Sequence, residues 1–125
     1  MLFDTDVLIW VLRGNPKAAK IVQSDVERSL SIVSYMELLQ GVRDRREAKA
    51  IRNFLADFGF QTVPLSENIG HRALIYMEQH GLKTALGVAD ALLAATAVEH
   101  QLTLCTANHK HYKPIAELDL KIFSP

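Results

Sequence analysis

The chain has 125 residues, enough for a single domain over 1–125 with a core of its own. Hydrophobic residues make up 49% of it and charged residues 22%, as in ordinary globular proteins, and no apolar run is long enough to cross a membrane. The formal net charge of zero by itself argues against nucleic-acid-binding proteins, which usually carry a positive excess, but four acids gathered in one site would leave 14 basic against 10 acidic residues. A single cysteine excludes an internal disulfide, so we expect a soluble protein of the reducing cytoplasm.

The predicted elements alternate between strands and helices. Met1–Phe3 predicts a buried strand, and the apolar run Val7–Leu12 predicts a helix that is buried nearly all round. Gly14-Asn15-Pro16 ends this helix and begins another over 17–28, whose inner face carries Ala18, Val22 and Val26.

The same alternation continues to the end of the chain. The later predicted helices open at Ser34, cover 46–58, run from Ser66 to His80 and cover Val88–Glu99, and the later strands cover Leu30–Val33, Phe60–Val63, Leu102–Cys105 and Leu120–Phe123. Strands that alternate with helices form a parallel sheet with helices on both faces. The predicted fold class is therefore α/β, with four to five strands.

Two carboxylates follow the first predicted strand, one residue apart. Asp4 lies at the carboxyl end of that strand, which is the edge where open α/β sheets bind ligands, and core-type residues flank it. We therefore interpret Asp4 as a functional residue. Asp6 has a simpler explanation, because it directly precedes Val7 as a helix N-cap would, and we favour that role.

Two more acids follow strands or open helices on the same predicted edge. Ser34-x-x-Glu37 fits a capping box, in which both side chains bind backbone N–H groups, so a cap and a functional role for Glu37 stay equally open. Asp90 is a lone charge in the nearly apolar segment 87–97, where burial is costly unless the charge is paired or binds a metal. A helix N-terminus would offset only about 0.3–1 kcal/mol of that cost, so we favour a functional role for Asp90.

Polar and basic residues complete the set of candidates. Thr106 and Asn108 follow the fourth predicted strand and can cap, turn or hold water, while His111 could contact phosphate or lie exposed; turn chemistry is the commoner role. Basic residues form two groups, for which phosphate binding and a solvated helix face are equally open. The groups are Arg43, Arg45, Arg46, Lys49 and Arg52, and His109, Lys110, His111 and Lys113.

Asp4, Glu37 and Asp90 are predicted to meet at one edge of the sheet. Three adjacent carboxylates repel one another and raise one another's pKa unless a cation neutralises them. Hard oxygen ligands select Mg²⁺ or Mn²⁺, and the sequence has no Cys/His set with zinc spacing. Such an ion can bind phosphate oxygens and activate water. From the residues alone, the prediction is metal-dependent phosphoryl transfer or phosphodiester hydrolysis.

Four segments, in this order, resemble the motifs of PIN domains. Leu2–Ile9 resembles the opening motif and Ser34-x-x-Glu37-Leu38-x-x-Gly41 the second motif. Residues 90–97 resemble the third, and Thr106-x-Asn108-x-Lys110-His111-Tyr112 the fourth. Each motif is weak alone, but the four together are specific and span almost the full length. The chain resembles VapC-type toxins of bacterial and archaeal toxin–antitoxin pairs.

The resemblance implies a three-layer α/β/α fold and an endoribonuclease that depends on Mg²⁺ or Mn²⁺. Asp4 and Asp90 would be the main metal ligands, Glu37 would complete the site directly or through water, and water on the metal would attack the scissile phosphorus. It further implies a homodimer, silenced by a small antitoxin that inserts a segment into the acidic groove. Asp6, Ser34, Thr106 and Asn108 would support the site, and Arg43, Arg45, Arg46, His109, Lys110 and His111 would contact RNA.

Two positions depart from the family pattern. Asp6 stands where PIN domains usually carry Asn, and we expect it to cap a helix or support the site. His111 stands where many members carry an acid, so a site with three acids is a safer prediction than one with four.

Three alternatives remain open. Asp4-x-Asp6 also resembles the opening of haloacid-dehalogenase phosphatases, but Leu8 stands where their hydroxyl residue is expected, and a later paired-acid motif is missing. A receiver-like signalling module needs an acceptor Asp after the third strand, where this chain has Pro64-Leu65-Ser66. A catalytically silent PIN-like module that binds RNA or protein is the third alternative, and the three acids argue against it.

Overall fold

Five short strands form one parallel sheet in the computed structural model, which describes residues 1–125. In chain order they are β1 (Leu2–Phe3), β2 (Ser29–Ser31), β3 (Gln61–Val63), β4 (Leu104–Thr106) and β5 (Leu120–Ile122). They lie side by side in the order β3-β2-β1-β4-β5, and every neighbouring pair is parallel. The predicted α/β class and the five-stranded parallel sheet are confirmed.

Helices cover both faces of this sheet. They are α1 (Thr5–Leu12), α2 (Pro16–Ser24), α3 (Ile32–Gln40), α4 (Arg45–Asp57), α5 (Glu67–His80), α6 (Val88–Glu99) and the short α7 (His109–Tyr112). The sequence did not predict α7. None of these helices has both the length and the apolar character that a membrane span requires.

The central strands are buried on both faces. Leu2 packs in a core cluster with residues of α5 and α6, whereas the next residue, Phe3, packs in a second cluster with residues of α1 to α4. The neighbouring strand repeats the alternation, with Leu104 in the first cluster and Cys105 in the second. Successive side chains of a strand point to opposite faces, so this sheet is the middle layer of a three-layer α/β/α fold.

The order of the strands creates a crevice between β1 and β4. From β1 the sheet grows through β2 and β3 on one side, whereas β4 and β5 are added on the other side. Open α/β sheets bind ligands at such a switch point, outside the carboxyl ends of the strands. Because Leu2 pairs with Leu104 and Phe3 with Cys105, the following residues, Asp4 and Thr106, meet at the mouth of the crevice.

Two predictions about the first two helices are wrong. Asp4, not Asp6, is the N-cap of α1, and its carboxylate accepts a hydrogen bond of 2.7 Å from the backbone N–H of Thr5. The helix therefore begins two residues earlier than the apolar run, and Asp6 lies within its first turn. The second helix ends at Ser24 rather than continuing to 28, and Val26 is 94% exposed instead of facing the core.

The predicted capping box at the second motif is also wrong. Ser31 is the N-cap of α3 and accepts a hydrogen bond of 3.1 Å from Val33 N, so Ile32 and Val33 form a first helical turn rather than the end of a strand. Ser34 consequently lies inside the helix, where its Oγ is buried without a hydrogen-bond partner. Glu37 falls in the second turn, too far along the helix to cap it.

Candidate active site

A cavity of about 250 Å³ opens at the switch point. It is lined by Asp4, Thr5, Asp6, Ile9, Glu37, Ala89, Asp90, Leu93, Asn108, His111 and Tyr112. The fold thus brings four acids together from three helices: Asp4 and Asp6 at the start of α1, Glu37 on α3 and Asp90 on α6.

Asp4 is the most enclosed of the four acids, with 7% of its surface exposed. Its Oδ1 accepts from Thr5 N at 2.7 Å, and its Oδ2 accepts from Thr106 Oγ1 at 2.8 Å and contacts the Tyr112 hydroxyl at 3.0 Å. Burial, reinforced by the charge of Asp6, raises the pKa of Asp4 from 3.8 to about 7 in spite of these hydrogen bonds. The protein alone therefore compensates the ionised form of Asp4 incompletely.

Asp6 ties the start of α1 to the end of β4. Its Oδ2 accepts a hydrogen bond of 3.0 Å from Ala107 N, whereas its Oδ1 is buried without a hydrogen-bond partner. Burial is the main reason that the pKa of Asp6 is raised, and the charge of Asp90 adds to it. Asp6 therefore links the start of α1 to the residue after β4 and does not cap the helix.

Glu37 reaches the cavity from the exposed side of α3. Its Oε1 accepts a hydrogen bond of 2.8 Å from the hydroxyl of Thr5, the residue that separates the two aspartates of the first motif. The sequence-based predictions missed Thr5. The sequence did offer one indication, a hydroxyl side chain directly after Asp4. Because α1 begins at Thr5, this hydroxyl is directed towards Glu37.

Asp90 lies in the first turn of α6, and each of its carboxylate oxygens contacts a donor of the protein. Its Oδ2 accepts a hydrogen bond of 3.0 Å from Gly87 N, which caps the helix, and its Oδ1 lies 3.2 Å from the Tyr112 hydroxyl. His111 Nδ1 is also 3.2 Å from Asp90 Oδ2, but this nitrogen makes no hydrogen bond of good geometry. The two side chains form an ion pair when the imidazole is protonated.

Tyr112 is the second residue that the predictions missed. It is fully buried, and its hydroxyl lies between Asp4 Oδ2 and Asp90 Oδ1. Burial and the two carboxylates raise the pKa of Tyr112 far above its ordinary value, so the hydroxyl keeps its proton at physiological pH. The indication in the sequence was that the fourth motif ends in a tyrosine, an aromatic residue with a hydroxyl group that can reach a carboxylate.

The remaining predicted supporting residues divide into two groups. Thr106 is fully buried behind Asp4, and its Oγ1 accepts a hydrogen bond of 3.0 Å from Asn108 N. Asn108 itself lines the cavity. Ser34 is buried in α3 and does not line the cavity, so the fold does not bring it to the other candidates.

The basic candidates lie at two borders of the acidic cavity. His109 and Lys110 are exposed on α7, next to His111 in the cavity wall. A groove of about 630 Å³ adjoins the cavity on the other side, shares Ile9 and Glu37 with it, and is also lined by Arg43. Arg43 forms an exposed ion pair of 2.7 Å with Glu47. Beyond it, Arg45 and Arg46 are exposed on the first turn of α4.

The oxygen donors of the cavity fit a divalent cation, although they do not form a closed cage. No group of three or more His, Cys, Asp or Glu side chains is arranged to hold a metal ion. Mg²⁺ usually needs only one or two carboxylates, because water and substrate phosphates complete its octahedron. A positive charge would also stabilise the ionised Asp4 and the unbonded Oδ1 of Asp6.

A larger hollow of about 770 Å³ lies between α5 and the segment 114–117, away from the predicted site residues. Both of its acids are paired with the same arginine, since Arg72 binds Glu99 at 2.5 Å and Glu117 at 2.8 Å. The Tyr76 hydroxyl also donates to Glu117. This network joins α5 to its neighbours and leaves no unpaired acid.

Comparisons with known proteins agree with this geometry. The PIN domain family model matches residues 1–117. Ribonuclease VapC10 of Mycobacterium tuberculosis (strain ATCC 25618 / H37Rv) is 35% identical over 122 residues, which cover 94% of this chain and 90% of that protein. These matches confirm the resemblance stated from the motifs and do not support the haloacid-dehalogenase and receiver alternatives.

Solved structures with the same fold include toxin–antitoxin complexes. A chain of a toxin–antitoxin complex from Klebsiella pneumoniae superposes with a TM-score of 0.80 at 26% identity, over 94% of this chain and 93% of that chain. A chain of DNA-bound VapBC from Salmonella typhimurium superposes with a TM-score of 0.84 over 97% and 96%, and at 17% identity it shows the fold alone. By the family match over most of its length and by its identity to VapC10, the chain belongs to the PIN-domain family.

Proposed function

We propose that this protein is an endoribonuclease that hydrolyses RNA phosphodiester bonds with a divalent cation, and that it is the toxin of a toxin–antitoxin pair. The observation that carries the proposal is a cavity with four carboxylates at the switch point of a PIN-domain chain related to a protein named ribonuclease VapC10. Because all the candidate ligands are carboxylate oxygens, the cation is Mg²⁺ or Mn²⁺ rather than zinc.

In this proposal Asp4 and Asp90 hold the cation, and Glu37 contacts it directly or through water. A bound cation would offset the charge of the scissile phosphate and lower the pKa of the attacking water. Thr106 and Thr5 keep the carboxylates of Asp4 and Glu37 turned towards the cavity through their hydrogen bonds. Asn108 fixes the hydroxyl of Thr106 in turn through its backbone N–H.

The basic borders would bind the RNA backbone on either side of the acids. His109, Lys110 and His111 contribute one border, and Arg43, Arg45 and Arg46 the other. The groove and the cavity share Glu37, so a strand that follows the groove towards α7 passes the carboxylates. Contacts of this kind supply affinity without base readout.

A small antitoxin protein is the proposed protein partner. It would inhibit the enzyme by inserting a segment into the acidic cavity and the adjoining groove. Support comes from the toxin–antitoxin complexes among the similar structures. The homodimer implied by the motifs stays a prediction, which the oligomeric state in solution would test.

The test incubates the purified protein with a panel of RNAs in Mg²⁺, in Mn²⁺ and in EDTA. Asp4→Asn and Asp90→Asn keep the side-chain volume and remove a charge, and both should abolish cleavage. Asp57→Asn changes an exposed acid at the end of α4 and serves as the matched control, with cleavage unchanged.

Three outcomes would contradict the proposal. Cleavage that continues in EDTA, or that survives both substitutions, would exclude the proposed metal site. RNA binding without cleavage in either cation would favour a catalytically silent binding module. Release of phosphate from a small phosphomonoester, with RNA left intact, would favour a phosphatase.

A further inference from the structure

We propose that Tyr112 is a positioning residue, whose hydroxyl sets the separation of Asp4 and Asp90 and thereby their affinity for a divalent cation. The geometry is direct: the phenolic oxygen is 3.0 Å from Asp4 Oδ2 and 3.2 Å from Asp90 Oδ1. The inference rests on the proposed function for the identity of the ligand.

The position of the hydroxyl is fixed by packing. Tyr112 is among the largest fully buried side chains, and its ring belongs to the core cluster that includes Leu93, Leu104 and Ile115. A buried aromatic ring in a close-packed core has little freedom to rotate, so its hydroxyl is held at one point between the two acids. The acids, in contrast, come from different helices, α1 and α6.

One hydroxyl cannot satisfy both carboxylates. A tyrosine carries one proton and donates it to one acceptor at a time, while Asp4 Oδ2 already accepts from Thr106 Oγ1. When both acids are ionised, one of them faces the lone pairs of the phenolic oxygen. A divalent cation held by Asp4 and Asp90 would offset this repulsion, and the hydroxyl, fixed by the packed ring, would position whichever carboxylate accepts its proton relative to the other.

The residue before Tyr112 on the same short helix lies beside the other Asp90 oxygen. His111, directly before Tyr112, places Nδ1 at 3.2 Å from Asp90 Oδ2, while Tyr112 contacts Oδ1. Two consecutive residues of α7 therefore lie against the two oxygens of the Asp90 carboxyl group, and of the two only Tyr112 makes a hydrogen bond with it. Tyr112 alone of the two also contacts Asp4, so it is the residue that links the proposed ligands.

The experiment compares Tyr112→Phe with Tyr76→Phe in the full chain. Both remove a tyrosine hydroxyl that contacts a carboxylate, but Tyr76 contacts Glu117 beside the hollow of α5, remote from the site. The primary measurement is Mn²⁺ affinity by calorimetry without RNA. We expect Tyr112→Phe to weaken binding by about 10–100-fold, as for other groups that orient metal ligands, and Tyr76→Phe to leave it unchanged.

Two further measurements separate positioning from packing. Urea unfolding in EDTA shows that each variant is folded, and RNA cleavage as a function of Mn²⁺ should recover for Tyr112→Phe at high metal concentration. Equal Mn²⁺ affinity in the parent and Tyr112→Phe would overturn the inference and leave the proposed function intact. A parent that binds no Mn²⁺ would instead contradict the proposed function, and the inference with it.

Discussion

Thr106 Oγ1 donates a hydrogen bond of 2.8 Å to Asp4 Oδ2 and joins residues 102 positions apart in the chain. The contact crosses the junction of β1 and β4, where the switch point of the sheet lies. Thr106 Oγ1 also accepts from Asn108 N at 3.0 Å, so the turn after β4 is tied to the same acid. The orientation of Asp4 therefore depends on both central strands.

Replacing Thr106 by Val should lower both activity and stability. The variant keeps the shape of the side chain but leaves Asn108 N without a partner and removes one of the two hydroxyl contacts of Asp4 Oδ2, at a cost of about 1–3 kcal/mol. Misplacement of Asp4 should reduce cleavage by about 10–100-fold. Thr106→Ser, which retains the hydroxyl, is the control and should recover most of the activity. Urea unfolding and cleavage rates check both effects, and normal activity in the Val variant would contradict the role of the contact.

Thr5 should affect activity more than stability. Thr5→Val removes the hydroxyl that holds Glu37 Oε1, and because Glu37 is exposed, the loss of this bond should change the free energy of unfolding by less than about 1 kcal/mol. Cleavage should nevertheless fall by about tenfold if Glu37 contributes to the site. Thr5→Ser preserves the bond and is the comparison. Equal cleavage rates for Val and Ser would show that Glu37 acts without Thr5.

Asp4 and Asp90 could be predicted as site residues from their immediate sequence neighbours alone. Each is a charge in an apolar segment, and a parallel sheet brings the carboxyl ends of strands to one edge. Thr5 and Tyr112 are ordinary helix residues in their local context. Their hydrogen bonds reach Glu37 and Asp4 across 32 and 108 positions, and only the folded chain defines such distances.

The predicted boundaries between elements were wrong where one apolar run continues from a strand into a helix. Leu30–Val33 reads as one buried strand, but β2 ends at Ser31, and Ile32 already belongs to α3. Hydrophobicity alone does not separate a buried strand from the first turn of a buried helix. The error moved the predicted cap from Ser31 to Ser34, although Glu37 still faces the predicted site.

Without metal, the ionisation of Asp4 should destabilise the folded protein as the pH rises from about 4 to 7. Asp4 has a pKa raised from 3.8 to about 7, so within this window the folded state binds a proton that the unfolded chain has released. The contribution is a decrease of up to about 1.4 kcal/mol per pH unit. Asp4→Asn should remove this part of the pH dependence.

Urea unfolding in EDTA at several pH values measures the effect as the difference between the parent and Asp4→Asn. Asp6 acts in the same direction, because its pKa is also raised, and the difference between the two proteins isolates Asp4. Added Mn²⁺ should flatten the curve of the parent at high pH, since it binds the ionised carboxylate. A difference that stays constant from pH 4 to 7 would contradict the raised pKa of Asp4.

Arg28 should matter for stability and not for the site. Its guanidinium donates to the carbonyl oxygens of Val22, Gln23 and Phe58 at 2.6, 2.9 and 2.7 Å, which joins the ends of α2 and α4. Lysine cannot reproduce this three-way geometry, so Arg28→Lys should lower the free energy of unfolding by about 1.5–3 kcal/mol. Arg52→Lys, at an exposed position of α4, is the matched control. A stability equal to that of the parent would show that solvent replaces these bonds without cost.

Substitutions in the two basic borders should change how strongly the affinity for RNA depends on salt, because these residues are proposed to contact phosphates and not to hold the cation. Lys110→Ala and Arg45→Ala each remove an exposed charge beside the cavity or the groove, whereas Lys17→Ala removes one from α2, which lines neither. RNA binding is measured in the Asp4→Asn background, so that the substrate stays intact.

Each lost phosphate contact should reduce the slope of log affinity against log salt by about 0.7 for single-stranded RNA. Lys17→Ala should leave the slope unchanged. Because phosphate contacts position the strand without taking part in the chemistry, cleavage at saturating RNA by Lys110→Ala and Arg45→Ala in the active protein should match that of the parent. An unchanged salt slope in both variants would move the RNA path away from these borders, and a lower rate at saturation would place the charge in the reaction itself.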